Sequence, residues 1–196
     1  MEEIELKDAR VIFEPNFISP AEADHLFSTM LETTDWQEHQ FNIFGRQYAM
    51  PRLTAWFAES DVTYQYAGIR LSPNPWTENL KVIKKKLEER FHAEFNSVLL
   101  NRYRSGQDSV DWHADDEIEL GSNPEIGSVS LGATRRFVLK RRSEPHETYT
   151  LNLNHGSALF MGGTTQHFWR HKIPKTRKPV GERLNLTFRK IKNLEV

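Results

Sequence analysis

A chain of 196 residues with no cysteine has room for one full hydrophobic core, and it excludes both a disulfide framework and a thiolate metal site. No apolar run approaches a membrane span and the acidic start Met1-Glu2-Glu3 is no signal peptide, so the expectation is a soluble intracellular protein, cytoplasmic or nuclear, with no membrane partner. The formal net charge of −1 does not advertise a nucleic-acid binder, yet Met1 to Asp61 is acid-rich while Lys84-Lys85-Lys86, Arg135-Arg136, Lys140-Arg141-Arg142 and the stretch Lys172 to Lys178 are basic.

In chain order, the first strong signal is a helix start at Ser19-Pro20-Ala21-Glu22, a capping box with proline at the first helical position. Ala23, Leu26, Phe27, Met30 and Leu31 then form one apolar stripe. A second helix is expected from near Thr77, with Leu80, Ile83, Leu87 and Phe91 inward and Lys81, Lys84 and Lys85 outward. After Phe95 the signals change to strands: Val98 to Tyr103, Ser128 to Leu131, Arg136 to Lys140, Tyr149 to Leu153, Ser157 to Met161 and Arg183 to Ile191. Helices first and many short strands after predict an α+β fold, helices packed on a two-sheet β sandwich, as one domain over residues 1–196.

Two short segments carry chemistry. In Trp112-His113-Ala114-Asp115-Asp116-Glu117, His113 and Asp115 stand two apart, so an extended backbone turns both to one face. Two ligands do not hold a reactive metal. His171 is the candidate third, with His167, four residues earlier, as its rival. Two imidazoles and one carboxylate on one triangular face leave open positions, the arrangement of non-haem Fe(II) oxygenases.

The second segment is Arg183-Leu184-Asn185-Leu186-Thr187-Phe188-Arg189, where the polar residues share one strand face and the apolar ones the other. Two inward arginines need anionic partners, since a buried unpaired charge is costly. A dicarboxylate offers two groups that each suit the guanidinium fork. Triad and strand together read as iron plus 2-oxoglutarate.

Asn101-Arg102-Tyr103, the His113 to Glu117 run, His171 and the Arg183 to Arg189 strand resemble the AlkB family of oxidative nucleic-acid demethylases, in particular its DNA-repair branch, the type of the human homologues 2 and 3. The likeness runs from about Phe41 to Ile191. It implies a double-stranded β-helix over about residues 96–193, preceded over about 1–95 by helices and a nucleotide-recognition segment. It implies Fe(II), 2-oxoglutarate and O2 as cofactors and cosubstrates, with His113, Asp115 and His171 as catalytic metal ligands. His171 is favoured over His167 by its spacing to Arg183 and the following Pro174. Arg183 would take the distal carboxylate of 2-oxoglutarate and Arg189 would lie near the keto-acid end, while Asn101, Tyr103, Asn185 and Thr187 add hydrogen bonds.

The same resemblance implies removal of methyl groups from 1-methyladenine and 3-methylcytosine, releasing formaldehyde with succinate and CO2. Tyr64 and Tyr66 would stack or edge against an extruded base, Glu117 would accept from its exocyclic amine, and Arg52 would contact the pocket or strand. Ile43-Phe44-Gly45-Arg46 is similar to the family's hydrophobic finger, with Phe44 as wedge, and Lys175-Thr176-Arg177-Lys178 is similar to a loop that grips phosphates. The expected partner of a monomeric enzyme is alkylated DNA. The alternatives are RNA or another 2-oxoglutarate oxygenase substrate, or, in a different class, a non-catalytic metal-binding β-barrel with no joint use for Arg183 and Arg189.

Overall fold

The structure, a computed structural model, describes residues 1–192 except 44–45, 61, 63, 67–68, 72 and 145; of 41–43, 46, 64–66 and 69–71 it describes the backbone alone. The first half holds β1 (Glu2–Ile4), β2 (Arg10–Glu14), α1 (Pro20–Thr33), β3 (Gln40–Ile43), β4 (Arg46–Ala49), β5 (Leu53–Ala58), β6 (Tyr64–Tyr66), β7 (Ile69–Leu71) and α2 (Glu78–Phe91). The second holds β8 (Ser97–Tyr103), β9 (Val110–His113), a 3-10 turn (Ile118–Leu120), β10 (Ile126–Gly132), β11 (Arg135–Arg141), β12 (Thr148–Leu153), β13 (Ser157–Gly162), α3 (Thr165–Phe168), β14 (Trp169–Ile173) and β15 (Arg183–Arg189).

Both long helices start where the sequence marks them. Ser19 accepts from the Glu22 N–H at 3.4 Å, with Pro20 in the first turn. Thr77 accepts from the Leu80 N–H at 3.3 Å, and α2 stops at His92, a left-handed residue with φ of 54°. Their apolar stripes, including Leu26, Met30, Leu80, Ile83 and Leu87, pack on one face of the larger sheet against Leu184, Leu186 and Phe188.

That sheet has seven strands in the order β1-β2-β13-β10-β15-β8-β5, and a four-stranded sheet, β12-β11-β14-β9, lies opposite it. Strands from the first half therefore complete the larger sheet at both edges, which the helix-rich reading of residues 1–95 does not contain. A second core of Leu99, Phe137, Leu139, Leu159, Trp169 and Ile173 fills the space between the sheets. This is the expected jelly-roll core, with helices on one sheet.

The decisive strand is β15, central in the larger sheet and buried along its whole length. Its leucines and Phe188 face the helices, so Arg183, Asn185, Thr187 and Arg189 must face the interior between the sheets. Their neighbours on β10 and β8 are fixed by register: Asn185 stands opposite Ser130 and Asn101, and Arg183 opposite Tyr103.

Candidate active site

The triad is assembled on the smaller sheet. Strands β9 and β14 run antiparallel with His113 directly opposite His171, and a bulge follows before Ile173. Here β9 ends, and Asp115 lies beyond the strand at 2% exposure. The ligand atoms of His113, Asp115 and His171 all lie within 4.8 Å of one another, with His171 Nε2 3.7 Å from Asp115 Oδ2. His167 is elsewhere: its Nε2 stands 3.1 Å from the Asn123 side-chain oxygen.

Each of the three side chains is set by a neighbour. His113 Nδ1 stands 2.8 Å from the Asp111 carbonyl, which can only accept, so that nitrogen carries the proton and Nε2 is left to bind. Burial between Phe137 and His113 pushes the His171 imidazole down to about 3, a neutral ring at pH 7, although Asp115 pulls the other way. Burial alone would raise the Asp115 carboxyl, but Arg189, His171 and His113 outweigh it and hold it at about 2. Arg189 Nη2 donates to Asp115 Oδ1 at 2.5 Å, which leaves Oδ2 on the His171 side. Imidazole, imidazole and a carboxylate oxygen form a donor set that fits Fe(II).

A partly enclosed cavity of about 480 Å³, open mouth included, lies between the sheets next to the triad. Asn101, Tyr103, Asn185, Thr187, Arg189 and Arg52 line it together with apolar Leu99, Phe137 and Ile173. Arg183 sits behind, with no solvent exposure. Its Nη2 donates to Ser130 Oγ at 2.9 Å and Asn185 Oδ1 at 2.7 Å, whereas Nε and Nη1 find no hydrogen-bond partner among the described residues. Burial lowers its pKa to about 10, with the Tyr103 phenol beside it countering, so it remains a cation at neutral pH. A buried cation with two N–H groups to give fits an incoming carboxylate.

The polar row is otherwise internally bonded. Asn185 donates to Thr187 Oγ1 at 2.7 Å and its oxygen accepts from Ser128 at 3.1 Å. Arg52 Nε donates to Asn101 Oδ1 at 2.8 Å, turning the donor end of that amide outward. Arg135, 3% exposed, donates to the carbonyls of Ser105, Asp108 and Pro174, clamping the loops that follow Tyr103 and Ile173. Gly106 lets those loops meet, since a Cβ there would stand 2.6 Å from the Thr176 carbonyl oxygen.

Of the base-pocket candidates, Glu117 is half-buried at the start of the 3-10 turn and does not line the cavity. Tyr64 and Tyr66 share a face of β6, opposite Leu71 and Ile69, but their side chains lie outside the described residues, as do Phe44 and Gly45. The Lys175 to Lys178 loop walls a separate cleft with Arg135, Arg136 and Asn152. The sequence reading misses Ser128, Ser130, Arg135 and Gln166. The alternation Ser128-Val129-Ser130-Leu131 holds a signal for the two serines; the others act across long loops that leave no local trace.

The sequence model of the 2OG-Fe(II) oxygenase superfamily matches residues 10–189. The human alpha-ketoglutarate-dependent dioxygenase alkB homolog 3 is 40% identical over 192 residues, covering 93% of this chain and 66% of that protein. The mouse DNA oxidative demethylase ALKBH2 is 35% identical over 181 residues, covering 87% of this chain and 76% of that protein. The solved structure of OsALKBH1 superposes with a TM-score of 0.69 at 15% identity, over 95% of this chain and 100% of that one, a likeness of fold. The chain spans about two thirds, 66%, of the length of its alkB homolog 3 relatives. It belongs to the 2OG-Fe(II) oxygenase superfamily and, within it, to the AlkB family. Fe(II), 2-oxoglutarate and O2 are the cofactor and cosubstrates that this membership implies.

Proposed function

We propose that this chain is an Fe(II)- and 2-oxoglutarate-dependent dioxygenase that demethylates alkylated bases in DNA, 1-methyladenine and 3-methylcytosine among them. The observation that carries the reading is the meeting, in one cavity, of a His-Asp-His group with a strand bearing two inward arginines. Bound iron would supply activation of O2; 2-oxoglutarate is oxidised to succinate and CO2 while one oxygen atom enters the C–H bond of the N-methyl group. The resulting hydroxymethyl amine loses formaldehyde and returns the N–H or free ring nitrogen of the base.

The chain's own residues supply binding, orientation and dryness. His113 Nε2, His171 and Asp115 Oδ2 would hold the metal, and Arg189 keeps the other carboxylate oxygen engaged so that coordination sites stay open. Arg183 would take the distal carboxylate through Nε and Nη1, with Tyr103 against its guanidinium at 5.1 Å. Asn101, Asn185 and Thr187 orient the cosubstrate, and Leu99, Phe137 and Ile173 exclude water from the reacting end.

Support for a nucleic-acid substrate comes from charge placement. Arg136, Lys140, Arg170 and Lys172 lie on the outward face of the smaller sheet, where the two lysines stand 4.2 and 4.3 Å from the Trp112 ring. Basic runs far apart in sequence thus form one patch that suits a phosphodiester backbone despite the near-neutral total. Relatives carry the name DNA oxidative demethylase. Tyr64, Tyr66 and Glu117 are the residues proposed to recognise the flipped base, Phe44 the wedge, and Lys175 to Lys178 a phosphate grip. The test is an anaerobic titration with Fe(II) and 2-oxoglutarate, then oxygen and a methylated oligonucleotide. Formaldehyde release is expected from DNA; succinate without formaldehyde on DNA, but with it on RNA, moves the substrate and leaves the chemistry.

A further inference from the structure

Asp115 has a backbone requirement that the sheet does not meet. Strand β9 ends at His113, so the Asp115 N–H has no ladder partner, yet the residue is 2% exposed. An unsatisfied buried N–H is costly enough that the chain would turn to find an acceptor. The acceptor is a side chain: Gln166 Oε1, 3.0 Å away and itself 1% exposed, from a residue 51 positions downstream.

Gln166 belongs to α3, the single turn that enters β14 and hence His171. That turn is pinned on its far side, where Thr165 Oγ1 donates to the Gly162 carbonyl at 2.6 Å and accepts from the Arg10 N–H at 2.9 Å. It is pinned from solvent as well: Arg142 Nη2 donates to the Gln166 carbonyl at 3.0 Å and to Asp116 Oδ2 at 2.5 Å. The turn therefore grips two consecutive residues, Asp115 through its backbone and Asp116 through Arg142. The amide of Gln166 has a second contact, Nε2 to Met161 Sδ at 3.8 Å, which orients its oxygen toward Asp115.

From this geometry we infer that Gln166 is a positioning residue for the metal centre: it fixes the Asp115 peptide and thereby the separation of the Asp115 carboxylate from His171. The inference rests on the reading of the triad as a metal site. With the peptide fixed, Oδ1 meets Arg189 and Oδ2 is presented 3.7 Å from His171 Nε2. Without it, the Asp115 N–H must seek water, and the carboxylate turns with its backbone. Arg142 supports the same bracket from outside.

The test is a Co(II) titration of the metal-free full chain, followed by visible absorbance, with 2-oxoglutarate binding then measured at saturating Co(II). Gln166→Met, which keeps length and volume but offers only a weak acceptor, should raise the Co(II) Kd by about 10–100-fold, as other partners of metal ligands do. Its 2-oxoglutarate Kd at saturating metal should stay near the native value. Ile83→Ala, on the helix side of the larger sheet, should lower the melting temperature and leave the Co(II) Kd unchanged, which separates positioning from stability. If Gln166→Met does not fold, Arg142→Met should still weaken Co(II) binding several-fold. A native Co(II) Kd in a folded Gln166→Met, or in Arg142→Met as its substitute, overturns the inference. A native protein that binds no Co(II) overturns the metal reading beneath it.

Discussion

Arg189 and Asp115 are joined across the two sheets: the guanidinium on central strand β15 donates to a carboxylate that lies just past the end of β9, at 2.5 Å, with both side chains buried. The pair ties the polar row of β15 to the His-Asp-His group, and it means that Asp115 enters the interior as a compensated charge. Removing Arg189 leaves an isolated buried carboxylate. Arg189→Met should therefore lose about 3–5 kcal/mol of stability in the metal-free protein. A divalent ion replaces the missing positive charge, so the loss should be smaller when Co(II) is bound. Denaturant unfolding with and without Co(II) checks this, and equal losses in both states would contradict it.

Acid should weaken the metal-free fold in a defined window. His171 is held neutral down to about 3 in the fold against 6.5 ordinarily, and Asp115 ionised down to about 2 against 3.8. In each case the unfolded chain binds the proton first, so stability is full above the ordinary value and is lost as pH falls toward the folded one. The His171 contribution thus starts to fade below about 6.5, well before that of Asp115. Between pH 7 and pH 5, metal-free native protein should lose more stability than His171→Leu. Parallel pH profiles for the two proteins would remove His171 as the cause.

The third ligand is decided by substitution. His171→Ala should abolish Co(II) binding and turnover, whereas His167→Ala, whose ring meets Asn123 away from the triad, should keep most of both. A fatal His167→Ala with a mild His171→Ala would exchange their roles.

Arg183 carries the cosubstrate prediction. Its Nε and Nη1 lack partners among the described residues, so Arg183→Leu removes both the charge and the two donors awaiting an anion. Losing such a partner in a desolvated site costs on the order of 2–5 kcal/mol, or upwards of about 30-fold in 2-oxoglutarate KM. A near-native KM in Arg183→Leu would show that the dicarboxylate sits elsewhere.

The β15 face pattern was legible because strand period and residue chemistry agree: leucines and a phenylalanine on one side, two arginines on the other. Both helix starts were equally open, since caps are local. An extended backbone does not bring His113 and Asp115 together. The strand stops at His113, and what turns Asp115 inward is Arg189 and Gln166, 74 and 51 residues away. Strand β14 was hidden by polar residues, Trp169-Arg170-His171-Lys172-Ile173, whose outward half faces solvent. The short strands β1 and β2 join the larger sheet through pairing with β13, a choice made by distant register that local pattern does not encode.

The central claim is that the triad and the arginine strand form one site that couples 2-oxoglutarate oxidation to loss of a base methyl group. It is tested most directly with an oligonucleotide carrying 3-methylcytosine labelled with carbon-13 in the methyl group, in the presence of Fe(II), 2-oxoglutarate and O2. Labelled formaldehyde and succinate should appear in equal amounts, with unmodified cytosine left in the strand, and neither should form with His171→Ala. Succinate formed without labelled formaldehyde, at a rate unchanged by the oligonucleotide, would contradict it.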